Sequence, residues 1–165
     1  MNPLPRLYAI ADAAFGDPVQ LAEALFSGGA RLVQIRNKKA STRVLLEQVE
    51  KVLALAPRDA RVVVNDRVDV ALISGAAGVH LGQTDLPPVA ARQILGPGRI
   101  VGFSTHNMDG YKYTTTLPDV DKIYGAQHAD QRPHQLERGI YRRGYADAAD
   151  QHTPHRQRRQ VALVA

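Results

Sequence analysis

The chain of 165 residues contains no cysteine. That excludes a disulfide framework, thiolate zinc sites and cysteine nucleophiles, and it leaves the redox compartment open. No run approaches the roughly 20 apolar residues that a helical membrane span needs, so no membrane role is expected. The opening stretch, MNPLPRLYAIADAAF, has no basic region followed by a continuous apolar core. It does not read as a signal peptide, and a cytoplasmic location is the expectation. A phosphate-loop consensus, a paired-histidine zinc spacing and a nucleophile-elbow serine are also missing. Large aliphatic residues are scarce in one place. Between Pro118 and Gln160 only Val120, Ile123, Leu136 and Ile140 are Val, Ile, Leu or Phe.

What is present divides at a seam. Overall the chain is 44% hydrophobic and 22% charged, ordinary for a globular protein. The apolar residues are unevenly spread, with 52 in the first 107 positions and 21 in the last 58. The second segment also holds His128, His134, His152, His155 and the pairs Arg142–Arg143 and Arg158–Arg159. It can bury little surface against the entropy of ordering it, so a packed structure is not expected there. The formal net charge of +5 suits a phosphorylated ligand or nucleic acid and selects neither.

The first segment alternates in an orderly way. Unbroken apolar runs at Leu7–Ala11, Leu32–Ile35, Val62–Val64, Gly78–Leu81 and Ile100–Phe103 read as strands buried on both faces. Between them lie a helix opened by Pro18 and stopped at Gly28–Gly29, and a longer one capped by Ser41 or Thr42. The latter carries Val44, Leu45, Val49, Val52 and Leu53 on one face. A short helix over Asp66–Ile73 and another from Pro88 to Leu95, ended by Gly96, complete the pattern. Strand and helix in strict alternation predict a parallel α/β sheet with the rhythm of a (β/α)8 TIM-type barrel, incomplete at five strands. A doubly wound sheet is the competitor, weakened because no glycine-rich phosphate turn follows Leu7–Ala11.

Polar residues cluster where these runs end. The second carries Gln34 near its end and is followed by Arg36, Asn37 and Lys38, the third by Asn65, Asp66 and Arg67. The fourth leads through His80 to Asp85, and the fifth to Ser104 and His106. In a parallel barrel all these ends open on one pole, the pole where such folds carry their active sites. Asp66 and Asp85 could there hold a hard divalent cation such as Mg²⁺, which takes one or two carboxylates plus phosphate oxygens. Arg36 would offer a fork of donors to a diphosphate and Lys38 a point charge. Ser104, at a strand end, suits an anion. Each residue alone has a plainer reading. Arg36 and Lys38 could be solvated loop charges, Asp66 a helix cap, Asp85 the start of a turn, His80 a hydrogen-bonded core or rim histidine. What favours the site is the agreement of four strand ends.

The segments LVQIRNK (Leu32–Lys38), VVVNDRVDVAL (Val62–Leu72), GAAGVHLGQTDLP (Gly75–Pro87) and IVGFSTHN (Ile100–Asn107) resemble the thiamine phosphate synthase family, TenI-like relatives included. The resemblance spans about residues 7 to 107, in family order and spacing. It implies a (β/α)8 barrel that joins hydroxymethylpyrimidine diphosphate to thiazole phosphate, forming thiamine phosphate and pyrophosphate with Mg²⁺. It further implies that Gln34, Arg36 and Lys38 belong to the pyrimidine-diphosphate loop and that Asn65 contacts the pyrimidine. Asp66 and Asp85 would be the magnesium ligands, and Ser104 a pyrophosphate contact. The family usually has Glu where this chain has Asn37, so that loop lacks one charge. The presence of both aspartates favours the synthase branch over a TenI-like protein without transferase activity.

Beyond Asn107 the family pattern is not matched. Thr114-Thr115-Thr116 stands too close to Ser104, and is followed by Leu117 without a lysine, so it is not the family's Thr-x-Thr-Lys loop. Residues 1–107 therefore read as a partial barrel and 108–165 as an atypical tail. Two accounts of the tail stand, a frame-shifted reading of the gene and a natural divergent, disordered extension. Five strands would leave two open parallel edges, so the chain is expected either to fold poorly or to form a homo-oligomer that completes the sheet, with impaired activity. The expected ligands are small molecules. A nucleic-acid-binding tail is the remaining alternative, resting on Tyr111, Tyr113, Tyr124, Tyr141 and Tyr145 among the basic residues. Seven acidic residues dilute that charge and no recognisable motif accompanies it, so no nucleic-acid partner is expected.

Overall fold

A computed structural model describes residues 4–104 and 161–164. Strands β1 (Leu7–Asp12), β2 (Leu32–Arg36), β3 (Arg61–Asn65), β4 (Gly78–Leu81) and β5 (Ile100–Phe103) alternate with helices α1 (Pro18–Ser27), α2 (Thr42–Leu55), α3 (Val68–Ile73) and α4 (Pro88–Leu95). Every pairing is parallel, in the order β5-β4-β3-β2-β1. A further strand, β6 (Val161–Val164), lies parallel beside β1, with Leu7 opposite Val161 and Ile10 opposite Val164. This corrects the expectation of an open edge at β1. The rest of the 108–165 tail, including its histidines and tyrosines, lies outside the described residues. Among the described residues no helix is long and apolar enough to cross a membrane.

Period-two alternation gives the sheet two different faces. On one, Ala9, Ala11, Val33, Ile35, Val62, Val64, Val79, Leu81 and Val101 form a single core with residues from all four helices. Ala22 and Phe26 come from α1, Leu45, Val49 and Val52 from α2, Val70 and Ala71 from α3, Ala91 and Leu95 from α4. Helices on one side only, over a sequential parallel strand order, make a barrel wall rather than a doubly wound sheet. The other face carries a smaller apolar cluster of Tyr8, Leu32, Val63 and Ile100 and, nearer the carboxyl ends, the buried polar side chains Gln34 and His80.

Local signals explain most boundaries. Pro18 takes the first turn of α1 behind Asp17, whose carboxylate accepts from the Val19 amide at 3.1 Å. Ser41 caps α2, accepting from Val44 N–H. Val44 itself is exposed, against the expectation that it shares the apolar face. Helix α3 begins at Val68 rather than Asp66. Arg67 occupies its cap position without a side-chain capping bond, its guanidinium going to Asp69 and Thr42, and this sets Asp66 apart from the helix. Strands β4 and β5 meet at closest approach where Gly78 faces Ile100. A Cβ at position 78 would stand 2.0 Å from the Ile100 carbonyl oxygen.

Candidate active site at the strand carboxyl ends

Parallel register places the chemistry. Asp12 pairs with Arg36 across β1 and β2, and Asn65 with His80 across β3 and β4. The Ser104 amide, just past β5, donates to the Leu81 carbonyl at 2.8 Å. Gln34, Arg36, Lys38, Asn65, Asp66, Asp85 and Ser104 thus all belong to the same end of the sheet, while His106 lies outside the described residues.

Contacts among them are specific. Gln34 is buried, and its amide donates to the Tyr8 hydroxyl at 2.7 Å. Arg36 makes a short ion pair with Asp12, whose other oxygen accepts from the Ala14 amide at 2.9 Å. The Lys38 ammonium lies 3.3 Å from an Asp66 oxygen. Asp85 lies near enough to Asp66 for the two carboxyls to act on one another. In turn, Asp85 is anchored by the Gly82 amide at 2.7 Å, closing the turn that follows β4. Asn37, where the family usually has Glu, reaches away from the mouth and donates to the Gln48 side chain on α2 at 3.1 Å.

The two aspartates make a strained electrostatic pair. Burial pushes the Asp66 carboxyl above its ordinary range, the neighbouring Asp85 carboxyl pushes it further, and Lys38 pulls it back. Asp66 also holds φ at 61°, the only non-glycine residue at positive φ among those described. That backbone turns its carboxyl away from a capping role on α3 and toward Lys38 and Asp85. A close pair of hard oxygen donors that resist joint ionisation is a donor set suited to a divalent cation. Among the described residues no group of three or more His, Cys, Asp or Glu side chains gathers. Magnesium needs no such cage, since it keeps water and takes few carboxylates.

Asp12 escapes the sequence reading, and the partners of His80 do too. Asp12 holds Arg36 and is nearly buried; reading the first run one residue further would have found it, because it ends its strand as Arg36 and Asn65 end theirs. His80 is buried and hydrogen-bonded, as its plainer reading held, and its partner is Ser104. Its Nε2 lies 2.7 Å from Ser104 Oγ, its ring packs against Tyr8 at 5.7 Å between centroids, and its Nδ1 is buried without a partner among the described residues.

Burial lowers the His80 pKa to about 4, with the Asp85 charge pulling the other way. In the unfolded chain the imidazole protonates near 6.5, so between these values the unfolded state binds more protons and acid favours unfolding. Stability in chelated buffer should fall by roughly 2 kcal/mol from this group between pH 7 and 4.5. Urea unfolding at both pH values should show a shallower slope for His80→Gln than for wild type. Equal slopes would place the acid-labile group elsewhere.

Residues 7–119 match the family described as thiamine monophosphate synthase. The chain belongs to that family. It is 48% identical to a thiamine-phosphate synthase of Anaeromyxobacter dehalogenans (strain 2CP-C) over 106 residues, which are 64% of this chain and 47% of that relative. A thiamine-phosphate synthase of Chlorobium phaeovibrioides (strain DSM 265 / 1930) is 49% identical over 102 residues, 61% of this chain and 48% of its own. The solved thiamine phosphate pyrophosphorylase from Pyrococcus furiosus superposes with a TM-score of 0.62 at 35% identity, covering 67% of this chain and 55% of that one. The chain spans about half the length of the curated relatives it matches.

Proposed function

We propose that the protein is a transferase of the synthase branch, acting on small molecules in the cytoplasm. It would join hydroxymethylpyrimidine diphosphate to thiazole phosphate and release pyrophosphate. What supports this reading is that two cations and two carboxylates, Arg36, Lys38, Asp66 and Asp85, belong to the same end of the sheet, with Lys38 on Asp66 and Asp85 beside it. A carboxylate pair alone would repel a diphosphate, and the cations alone would hold any anion. Together they fit a metal-bound diphosphate.

Asp66 and Asp85 are the residues that would hold Mg²⁺, which when bound neutralises charge on the departing pyrophosphate. Arg36 presents guanidinium donors to the same oxygens, steadied from behind by Asp12. Lys38, exposed enough to move, adds a point charge. Gln34 and Asn65 face the pyrimidine, and Ser104 meets a diphosphate oxygen. The bond that breaks joins the pyrimidine methylene carbon to the diphosphate oxygen, which takes the electron pair. The thiazole nitrogen then forms the new bond to that carbon. No protein nucleophile is required, so the residues act through positioning and electrostatics.

Calorimetric titration with the pyrimidine diphosphate, with and without Mg²⁺, tests this reading. Binding should require the metal, and Asp66→Asn should weaken it by about tenfold or more, the size of one charged contact. Asparagine is chosen because it tolerates left-handed backbone. Affinity indifferent to both the metal and the substitution would refute the proposal.

A further inference from the structure

His80 and Ser104 carry an inference that rests on the diphosphate reading and goes beyond it. The two side chains are buried and share one hydrogen bond of 2.7 Å. Either atom could be the donor. A neutral imidazole has one N–H, and its placement is decided by the nitrogen at the other side of the ring. Nδ1 is buried and has no partner among the described residues. A proton there would be a buried N–H with nothing to meet, an arrangement folded proteins rarely tolerate and one that costs about 1–3 kcal/mol. A proton on Nε2 meets Ser104 Oγ and leaves only a bare lone pair at Nδ1. The ring is held between neighbouring strands, with Gly102 and Asn65 as its register partners and Tyr8 against its face.

We propose that His80 is a positioning residue: its Nε2–H donates to Ser104 Oγ and so leaves the serine hydroxyl hydrogen for an anionic oxygen arriving at the mouth. Ser104 Oγ has no second partner among the described residues, and the serine amide is already spent on Leu81. A hydroxyl that accepts from His80 keeps its hydrogen free for a phosphate oxygen and has only one lone pair left for a ligand N–H. His80 therefore acts on ligand choice through Ser104.

The experiment combines nitrogen–proton correlation spectra of the wild-type histidine rings with calorimetric binding of inorganic pyrophosphate plus Mg²⁺. The His80 proton should reside on Nε2. Ser104→Ala should bind pyrophosphate about tenfold more weakly, the worth of a hydrogen bond to a charged group. His80→Asn should lose as much, because its amide falls where Nδ1 stood. His80→Gln, whose amide nitrogen reaches the Nε2 position, should stay close to wild type. The Ser104→Ala/His80→Asn double variant should be no weaker than either single one. A proton on Nδ1 overturns the proposal, as does His80→Asn binding like wild type while Ser104→Ala is weak; either result leaves the diphosphate reading intact. Wild type that ignores pyrophosphate defeats that reading instead, and the ring spectra still decide the tautomer. Because those spectra need no substitution, a variant that fails to fold does not remove the test.

Discussion

Gly78→Ala should lower the unfolding free energy by about 3 kcal/mol or more, enough to leave little folded protein in a domain of ordinary stability. The cause is geometric. The added methyl would stand 2.0 Å from the Ile100 carbonyl oxygen and 2.6 Å from the Ile100 carbonyl carbon, and backbone cannot swing aside as a side-chain tip can. Relief requires β4 and β5 to part, which breaks the register that sets His80 beside Gly102. Gly98→Ala is the control, since a methyl there meets nothing within 4 Å. Urea unfolding should place the Gly98 variant within about half a kcal/mol of wild type and the Gly78 variant far below it. Similar midpoints for the two would show that the sheet yields at β4.

Arg36→Met should be the second large loss, and it separates folding from binding. Asp12 is nearly buried and leans on the Arg36 guanidinium, so removing the arginine leaves a carboxylate without its counter-charge. Breaking such a pair from one side costs about 3 kcal/mol or more, whereas removing both charges is far milder. The Asp12→Asn/Arg36→Met double variant should therefore recover most of the unfolding free energy lost by Arg36→Met. It should still fail to take up pyrophosphate with Mg²⁺, because the forked donor is gone. A single variant as stable as wild type would mean the pair is idle in folding. A double variant that binds pyrophosphate normally would remove Arg36 from the site.

The strands were legible because a parallel sheet covered on both faces needs unbroken apolar runs, and Leu32–Ile35 or Val62–Val64 can hardly be read otherwise. The meeting of Asp66 with Asp85 was legible for a related reason: parallel strands deliver all their carboxyl ends to one pole. What lay beyond reach was pairing decided by side-chain length and backbone angle. Nothing in Gln34-Ile35-Arg36 says that the arginine would settle on Asp12 or the glutamine on Tyr8. The Val161–Val164 strand was hidden because its place depends on a partner, β1, at the other end of the chain. Val44 shows the limit of periodicity, since a residue in the first turn of α2 can fit the apolar stripe and still face water.

The backbone angle at Asp66 narrows what can replace it. Glutamate, the usual mild exchange for aspartate, is ill suited to a left-handed conformation, while asparagine and glycine adopt it readily but bring no negative charge. Position 66 thus has no gentle neighbour among the twenty amino acids: every exchange forfeits either the local fold of the chain or the anion it presents. Variation in this protein should accordingly be all-or-none at 66 even where Lys38 or Gln34 drift by degrees.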